Sequence, residues 1–224
     1  MEFHLSQLKG GLQGFLDQYG DDLHQSHLDA VSSALKSLKS IELDTGLPLV
    51  VVDLNGVMIE TEFVPDMEVK REGWIRVGKS LRRPLPNAIQ FFDWYQKNKG
   101  KVRIAVWSSS YVSNVLKTID GLFPSIKNEL AFIWGQENCE ALPNPEHDPA
   151  DKKSKPTLFW KNTSEILKHF PQYQLENILI VDDSKQKLEK NDQTNVMVVD
   201  ENSHLIVDLL ESPFGRQQLK DCGV

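Results

Sequence analysis

The sequence predicts an α/β fold, a parallel sheet with helices on both faces. Three observations carry it. Short apolar runs of strand length recur along the chain. Stretches with helical spacing separate them, and carboxylate or hydroxyl residues follow directly on several of the runs. The clearest run is Leu49–Val50–Val51–Val52, which is apolar without alternation, as expected of a strand buried on both faces of a parallel sheet.

Before that strand, Leu5, Leu8, Leu12, Phe15, Leu16 and Tyr19, then Leu28, Val31, Leu35 and Leu38, recur at helical spacing. They predict two helices joined near Gly20–Asp21–Asp22, an N-terminal extension over 1–45 that serves as a packing element or a partner surface. Asp44–Thr45–Gly46 ends it. The main domain is expected over 46–212, with a C-terminal tail over 213–224. Met67 to Gly78, with Glu72–Gly73 at its centre, reads as a flap hairpin in place of a large cap. Pro84 and Pro86 precede a helix over Asn87–Asn98. A strand over Val102–Trp107, a helix over Val112–Ile119 and a strand over Ala131–Trp134 follow. Ala141 to Pro156, rich in proline and acid, reads as a surface loop, and Leu158 to Phe170 as helical. Strands over Ile178–Val181 and Asn195–Val199 and a helix over Ser203–Glu211 complete the domain.

The 224 residues carry 25 basic and 32 acidic side chains, a net charge of −7, with a sequence pI near 5.4. That balance argues against a nucleic-acid binder, which must neutralise phosphates. Hydrophobic residues at 40% and charged residues at 25% are enough for one sizeable core. No apolar run approaches the ~20 residues of a membrane span, so no transmembrane segment is expected. Two cysteines, Cys139 and Cys222, make no disulfide framework, and a reducing, cytosol-like compartment follows as the expectation.

Asp53 follows the first buried run, and Asp182–Asp183 follow the fourth. In a parallel sheet such positions face the ligand crevice, where a charge needs a partner to offset its lost hydration. Three carboxylates meeting there call for a hard divalent cation, and an oxygen-only donor set selects Mg²⁺. Ser108–Ser109–Ser110 follow the second run and supply hydroxyls and N–H groups suited to a phosphate oxygen. Lys161 is the candidate cation for that phosphate, with Lys155 in reserve. The set supports attack of Asp53 on phosphorus, followed by hydrolysis of the aspartyl phosphate. Trp74 and Arg76 are candidates for a wall of the flap that faces substrate, and Cys139 reads as a structural cysteine.

Asp-Leu-Asn-Gly-Val at 53–57, Val-Trp-Ser-Ser at 106–109, a later lysine, and Ile-Val-Asp-Asp-Ser at 180–184 stand in the order of the four motifs of the haloacid dehalogenase (HAD) phosphatases. Arg83–Pro84, Gln136–Glu137–Asn138–Cys139 and Leu158–Phe159–Trp160–Lys161 resemble the branch of RNA polymerase II C-terminal-domain phosphatases. The resemblance spans roughly 47 to 200. It implies a HAD-like, Rossmann-type sheet, Asp53 as nucleophile and metal ligand, and the Asn55 carbonyl as a second ligand. It further implies Asp183 as a Mg²⁺ ligand supported by Asp182, Ser108 and the Ser109 N–H on the phosphate, and Lys161 bridging to Asp53.

One position departs from that pattern. Asn55 stands where these phosphatases usually place a second aspartate, the general acid for the leaving oxygen. An amide cannot exchange that proton, and general acid–base help contributes ~10²–10⁴-fold. The expectation is a phosphatase for phosphoprotein side chains or aryl phosphates, favouring phosphotyrosine, whose phenolate leaves readily. The competing expectation is an impaired or substrate-trapping site that binds a phosphoprotein partner without turnover.

Overall fold

The computed structural model describes residues 46–144, 146–150, 156–200 and 203–224. The helical extension expected over 1–45 lies outside the described residues, as does Lys155. Five strands, β1 (Leu49–Val52), β5 (Arg103–Trp107), β6 (Ile133–Trp134), β9 (Ile178–Asp182) and β10 (Val196–Val198), form one parallel sheet in the order β10-β9-β1-β5-β6. Val51 pairs with Ala105 on one side and Ile180 on the other, so β1 is the central strand. This is the fold class expected from the apolar runs.

The helices are α1 (Pro86–Lys97), α2 (Val112–Leu122), α3 (Thr163–His169) and α4 (Leu205–Glu211). Alternate strand residues serve opposite layers, as the pleat requires. Val50, Val52, Ile104, Val106, Leu179 and Val181 pack with buried residues of α1, α2 and α4. Leu49, Val51, Ala105, Trp107, Ile178 and Ile180 pack on the other face with Ile166 of α3 and with Phe132, Trp134 and Tyr173. Burial of each Val, Leu or Ile side chain among them contributes about 1.5–3 kcal/mol. The chain leaves β1 for β5 on one side and later returns to β9 on the other, which opens a crevice beyond the carboxyl ends of β1 and β9.

Three expectations are corrected. The flap is a three-stranded antiparallel sheet of β2 (Ile59–Phe63), β3 (Ile75–Val77) and β4 (Ser80–Pro84), in the order β2-β4-β3. Its β3–β4 turn lies at Gly78, with φ +60°, and not at Glu72–Gly73. Buried Arg82 ties it to α2, donating to the Asn114 carbonyl at 3.3 Å and to the Thr118 hydroxyl. Secondly, Leu158 to Phe170 is not one helix. β8 (Thr157–Trp160) pairs antiparallel with β7 (Glu140–Pro143), Glu140 opposite Trp160 and Pro143 opposite Thr157. The same pairing takes the first residues of the expected loop, Ala141 to Pro156, into a strand. Helix α3 starts only after Asn162, whose side chain accepts from the Ser164 N–H at 3.0 Å and caps it. Thirdly, the residues expected as a tail form a helical turn over Gly215–Leu219, with Phe214 and Leu219 buried in the core.

Candidate active site

The carboxyl ends of β1, β5 and β9 bring the expected residues together. The sheet pattern runs one residue past β1 and β5: the Asp53 N–H donates to the Val181 carbonyl at 2.9 Å, and the Ser108 N–H to the Trp134 carbonyl at 3.1 Å. Each side chain is thereby aimed from a rigid strand end. Asp53, Ser108, Lys161 and Asp182 are all buried. The Lys161 ammonium lies 2.8 Å from Asp53 Oδ1 and 2.5 Å from Asp182 Oδ2. It reaches the crevice from the end of β8, so the hairpin missed in the sequence is what delivers it.

Lys161 is clamped through both of its backbone polar groups. Its N–H donates to the Lys187 carbonyl at 3.1 Å, and its carbonyl accepts from Asn191 Nδ2 at 2.8 Å. Asn191 Oδ1 accepts in turn from the Thr163 N–H and hydroxyl, at 3.0 and 2.8 Å. The Lys187 ammonium lies 3.0 Å from Asp182 Oδ1 and 3.4 Å from Asp183 Oδ1. The Ser184 N–H also donates to Asp182 Oδ1, at 2.8 Å. Asp182 Oδ1 accepts hydrogen bonds, and Asp182 Oδ2 meets the Lys161 ammonium in an ion pair. Asp53 Oδ2 is buried with neither a hydrogen-bond partner nor an ion-pair partner among the described residues.

These contacts set the acidities. Burial raises Asp182, but Lys161 and then Lys187 outweigh it and hold its carboxyl at about 2. Burial also opposes the charge of Lys161, yet Asp182 and Asp53 keep its pKa above the ordinary lysine value. Asp53 is raised, chiefly by burial and further by Asp182, with Lys161 opposing. Asp183 is pushed up to about 6 by partial burial and by the hydrogen bond that its protonated form gives Asp182.

The turn after Asp53 is built around Gly56, whose φ is +80°. The Met58 and Ile59 N–H groups both donate to the Leu54 carbonyl at 2.8 Å, an arrangement that leaves the Asn55 carbonyl outside the turn's own hydrogen bonds. A Cβ on Gly56 would stand 2.1 Å from Asp183 Oδ2. Gly56→Ala is therefore expected to displace the Asp183 carboxylate and, if that carboxylate holds Mg²⁺, to weaken binding of the ion about tenfold, as loss of a ligand's orientation does. Isothermal titration with MgCl₂ measures this, and unchanged affinity would disconnect Asp183 from the ion. The Asn55 side chain accepts from the Thr61 hydroxyl at 2.7 Å and donates from Nδ2 to Ser110 Oγ at 3.3 Å.

Oxygen atoms of Asp53, Asp182 and Asp183 lie within 4.8 Å of one another. The donor set is all oxygen and includes the partnerless Asp53 Oδ2, so these residues fit a hard divalent cation. A cleft of about 1200 Å³ opens beside them, bordered by Asn55, Glu60, Asn87, Asp183 and His204. Ser109 stands half-exposed next to buried Ser108, whose Oγ accepts from the Ser110 N–H at 3.3 Å.

Trp74 does not border that cleft. The guanidinium groups of Arg83 and Arg71 lie 4.9 and 5.6 Å from its ring, so cation–π contacts occupy the residue expected to face substrate. Arg76 is likewise engaged, donating to the carbonyls of Val64, Asp66 and Val69 at 3.0, 3.0 and 2.7 Å. Burial raises the Cys139 thiol to about 11, which removes it as a nucleophile at neutral pH. Sequence reasoning missed Lys187, Asn191 and Thr61. The one local signal was a basic residue four and five places after the acidic pair.

No family model matches the chain, and no curated protein matches it. Among solved structures, the fission yeast RNA polymerase II CTD phosphatase Fcp1 bound to beryllium fluoride is similar at 14% identity and a TM-score of 0.46, covering 75% of this chain and 44% of that one. A second Fcp1 structure is similar at 15% identity and a TM-score of 0.46, covering 83% and 55%. A Thermotoga maritima chain assigned as a beta-phosphoglucomutase is similar at 11% identity and a TM-score of 0.41, covering 72% and 91%. The chain thus spans about half the length of the Fcp1 structures. Among the described residues, no helix is long and apolar enough to cross a membrane.

Proposed function

We propose that the chain is a Mg²⁺-dependent phosphatase of the haloacid dehalogenase type, which hydrolyses phosphomonoesters through an aspartyl phosphate on Asp53. The observation that carries this reading is the buried Asp53 carboxylate, with one oxygen fixed by Lys161 at 2.8 Å and the other without a partner. A nucleophile needs that arrangement, oriented on one side and available on the other.

Asp53, the Asn55 carbonyl and Asp183 would hold the ion, with Asp182 supporting them through the lysines. When bound, Mg²⁺ would supply positive charge that offsets the negative charge of the reacting groups. In the first step an Asp53 oxygen bonds to phosphorus as the ester P–O bond breaks, and the leaving oxygen keeps the electron pair. In the second, water attacks phosphorus, the acyl P–O bond breaks, and inorganic phosphate and the Asp53 carboxylate are released. Lys161 stays charged throughout and offsets negative charge on the transferring group. Ser108 and the Ser109 N–H bind its oxygens.

Asn55 has no proton to give the leaving oxygen, so substrates that depart as a phenolate are favoured over those that depart as an alkoxide. With a small flap sheet as its neighbour, the open cleft suits a phosphoprotein side chain, phosphotyrosine ahead of phosphoserine. The same residue favours a second reading, a phosphoprotein-binding site with little turnover. Hydrolysis of para-nitrophenyl phosphate, with and without MgCl₂, tests the first. Magnesium-dependent release of para-nitrophenolate is expected, and tight binding without release would favour the second.

Proton release accompanies ion binding. Asp183, with a pKa raised to about 6 from the usual 3.8, must lose its proton to become a ligand. Mg²⁺ affinity is therefore expected to fall roughly tenfold per pH unit below pH 6 and to level off above it. The sign for folding is opposite. The native carboxyl binds its proton more tightly than the unfolded one, so this group makes the ion-free protein less stable as pH rises from about 4 to about 6, and Mg²⁺ reverses the loss. Thermal unfolding with and without MgCl₂ at pH 5 and pH 7 checks both.

A further inference from the structure

Lys187 is a cation to which the phosphatase reading gives no part in binding the phosphoryl group. It stands at the end of the 3₁₀ turn Lys185–Lys187, five residues after Asp182, with its side chain only 18% exposed. Its ammonium contacts both members of the acidic pair, at 3.0 and 3.4 Å, and its carbonyl holds the N–H of Lys161. The charged groups facing it are Asp182, Asp183 and Asp53, with Lys161 close enough to repel it.

Charge counting defines its role. Three carboxylates and two ammonium groups leave the ion-free cluster with one net negative charge. A divalent ion turns that into one net positive charge, which suits a dianionic phosphoryl group. Without Lys187 the ion-free cluster would carry two negative charges, and the loaded cluster none. A neutral cluster still binds an anion, but without the long-range attraction that a buried positive charge exerts. At Asp183 Oδ1, in contrast, the ammonium competes with the ion for one carboxylate.

We propose that Lys187 is the charge-balancing cation of the site: it pairs with Asp182 and Asp183 when the divalent ion is absent, and its charge serves the phosphoryl group when the ion engages Asp183. The proposal rests on the phosphatase reading above. It requires that one substitution move two ligands in opposite directions. Lys187→Met removes a competitor for the ion and an attraction for the anion. Mg²⁺ should bind about tenfold more tightly, and inorganic phosphate about tenfold more weakly to the Mg²⁺-saturated protein. Lys187→Arg keeps the charge and should stay close to the wild type for both.

Isothermal titration of the full chain with MgCl₂, then of the Mg²⁺-saturated protein with inorganic phosphate, reads both effects, and thermal unfolding shows that each variant is folded. Lys187→Gln, neutral but able to hydrogen-bond to the acidic pair, replaces Lys187→Met should the latter fail to fold. Opposite shifts in the neutral variant, restored by arginine, support the proposal. Equal weakening of both ligands, or no change in either, overturns it and marks Lys187 as a packing residue. If the wild type binds neither Mg²⁺ nor phosphate, the phosphatase reading falls and takes the proposal with it.

Discussion

Asp53→Asn is expected to abolish turnover of para-nitrophenyl phosphate under the proposed mechanism, a loss of about 10⁴-fold or more, while the protein stays folded. The amide has the shape of the carboxylate but cannot displace an ester oxygen from phosphorus. The fold survives because Lys161 keeps its ion pair with Asp182 at 2.5 Å and so is not left as an uncompensated buried charge. Stability should even rise. Burial raises the Asp53 pKa, so the ionised side chain is unfavourable in the folded state at neutral pH, and a neutral isostere relieves that cost. Activity assays and thermal unfolding of the same preparation measure both parts. Retention of magnesium-dependent turnover in Asp53→Asn would end the aspartyl-phosphate mechanism.

Asn55→Asp has the opposite sign. It restores a group that can give a proton to the leaving oxygen and take one from water, and turnover of an alkyl phosphate such as phosphoserine should rise about 10²–10⁴-fold. The surroundings admit the change without rebuilding. The Thr61 hydroxyl already donates to Oδ1, and the Ser110 hydroxyl, now an acceptor from Nδ2, can turn and donate to a carboxylate oxygen. Aryl phosphates should gain less, because their leaving groups need the proton less. Equal gains for both substrates would assign the effect to added charge, and no gain would remove position 55 from the chemistry.

Much of this site was legible in the sequence because strand ends are local facts. A run such as Leu49–Val52 has no polar face, so it belongs in the middle of a parallel sheet, and the residue after it must lie at the crevice. Asp53, Ser108 and Asp182 all follow by that logic. Lys161 is legible as the cation a phosphate site needs, but the element that carries it is not. Leu158–Phe159–Trp160 fits a helical period as well as a strand, and the decision lies with a partner about twenty residues earlier, Glu140–Pro143. Lys187 was overlooked because a lysine beside two aspartates in a turn is ordinary on a solvated surface, and only the fold places it inward. The contacts of Trp74 are hidden from the sequence for a related reason: the arginines that lie over its ring come from two different parts of the flap.

The double clamp on Lys161 bears on when the protein becomes competent during its synthesis. The N–H and the carbonyl of Lys161 are tied to residues 187 and 191, which leave the ribosome up to 30 positions later. A nascent chain that already contains the first two motifs and the lysine still lacks the scaffold that aims the ammonium. Assembly of the centre is thereby coupled to folding of the segment that follows the next-to-last strand, and a chain cut short before residue 187 lacks both anchors of the Lys161 backbone.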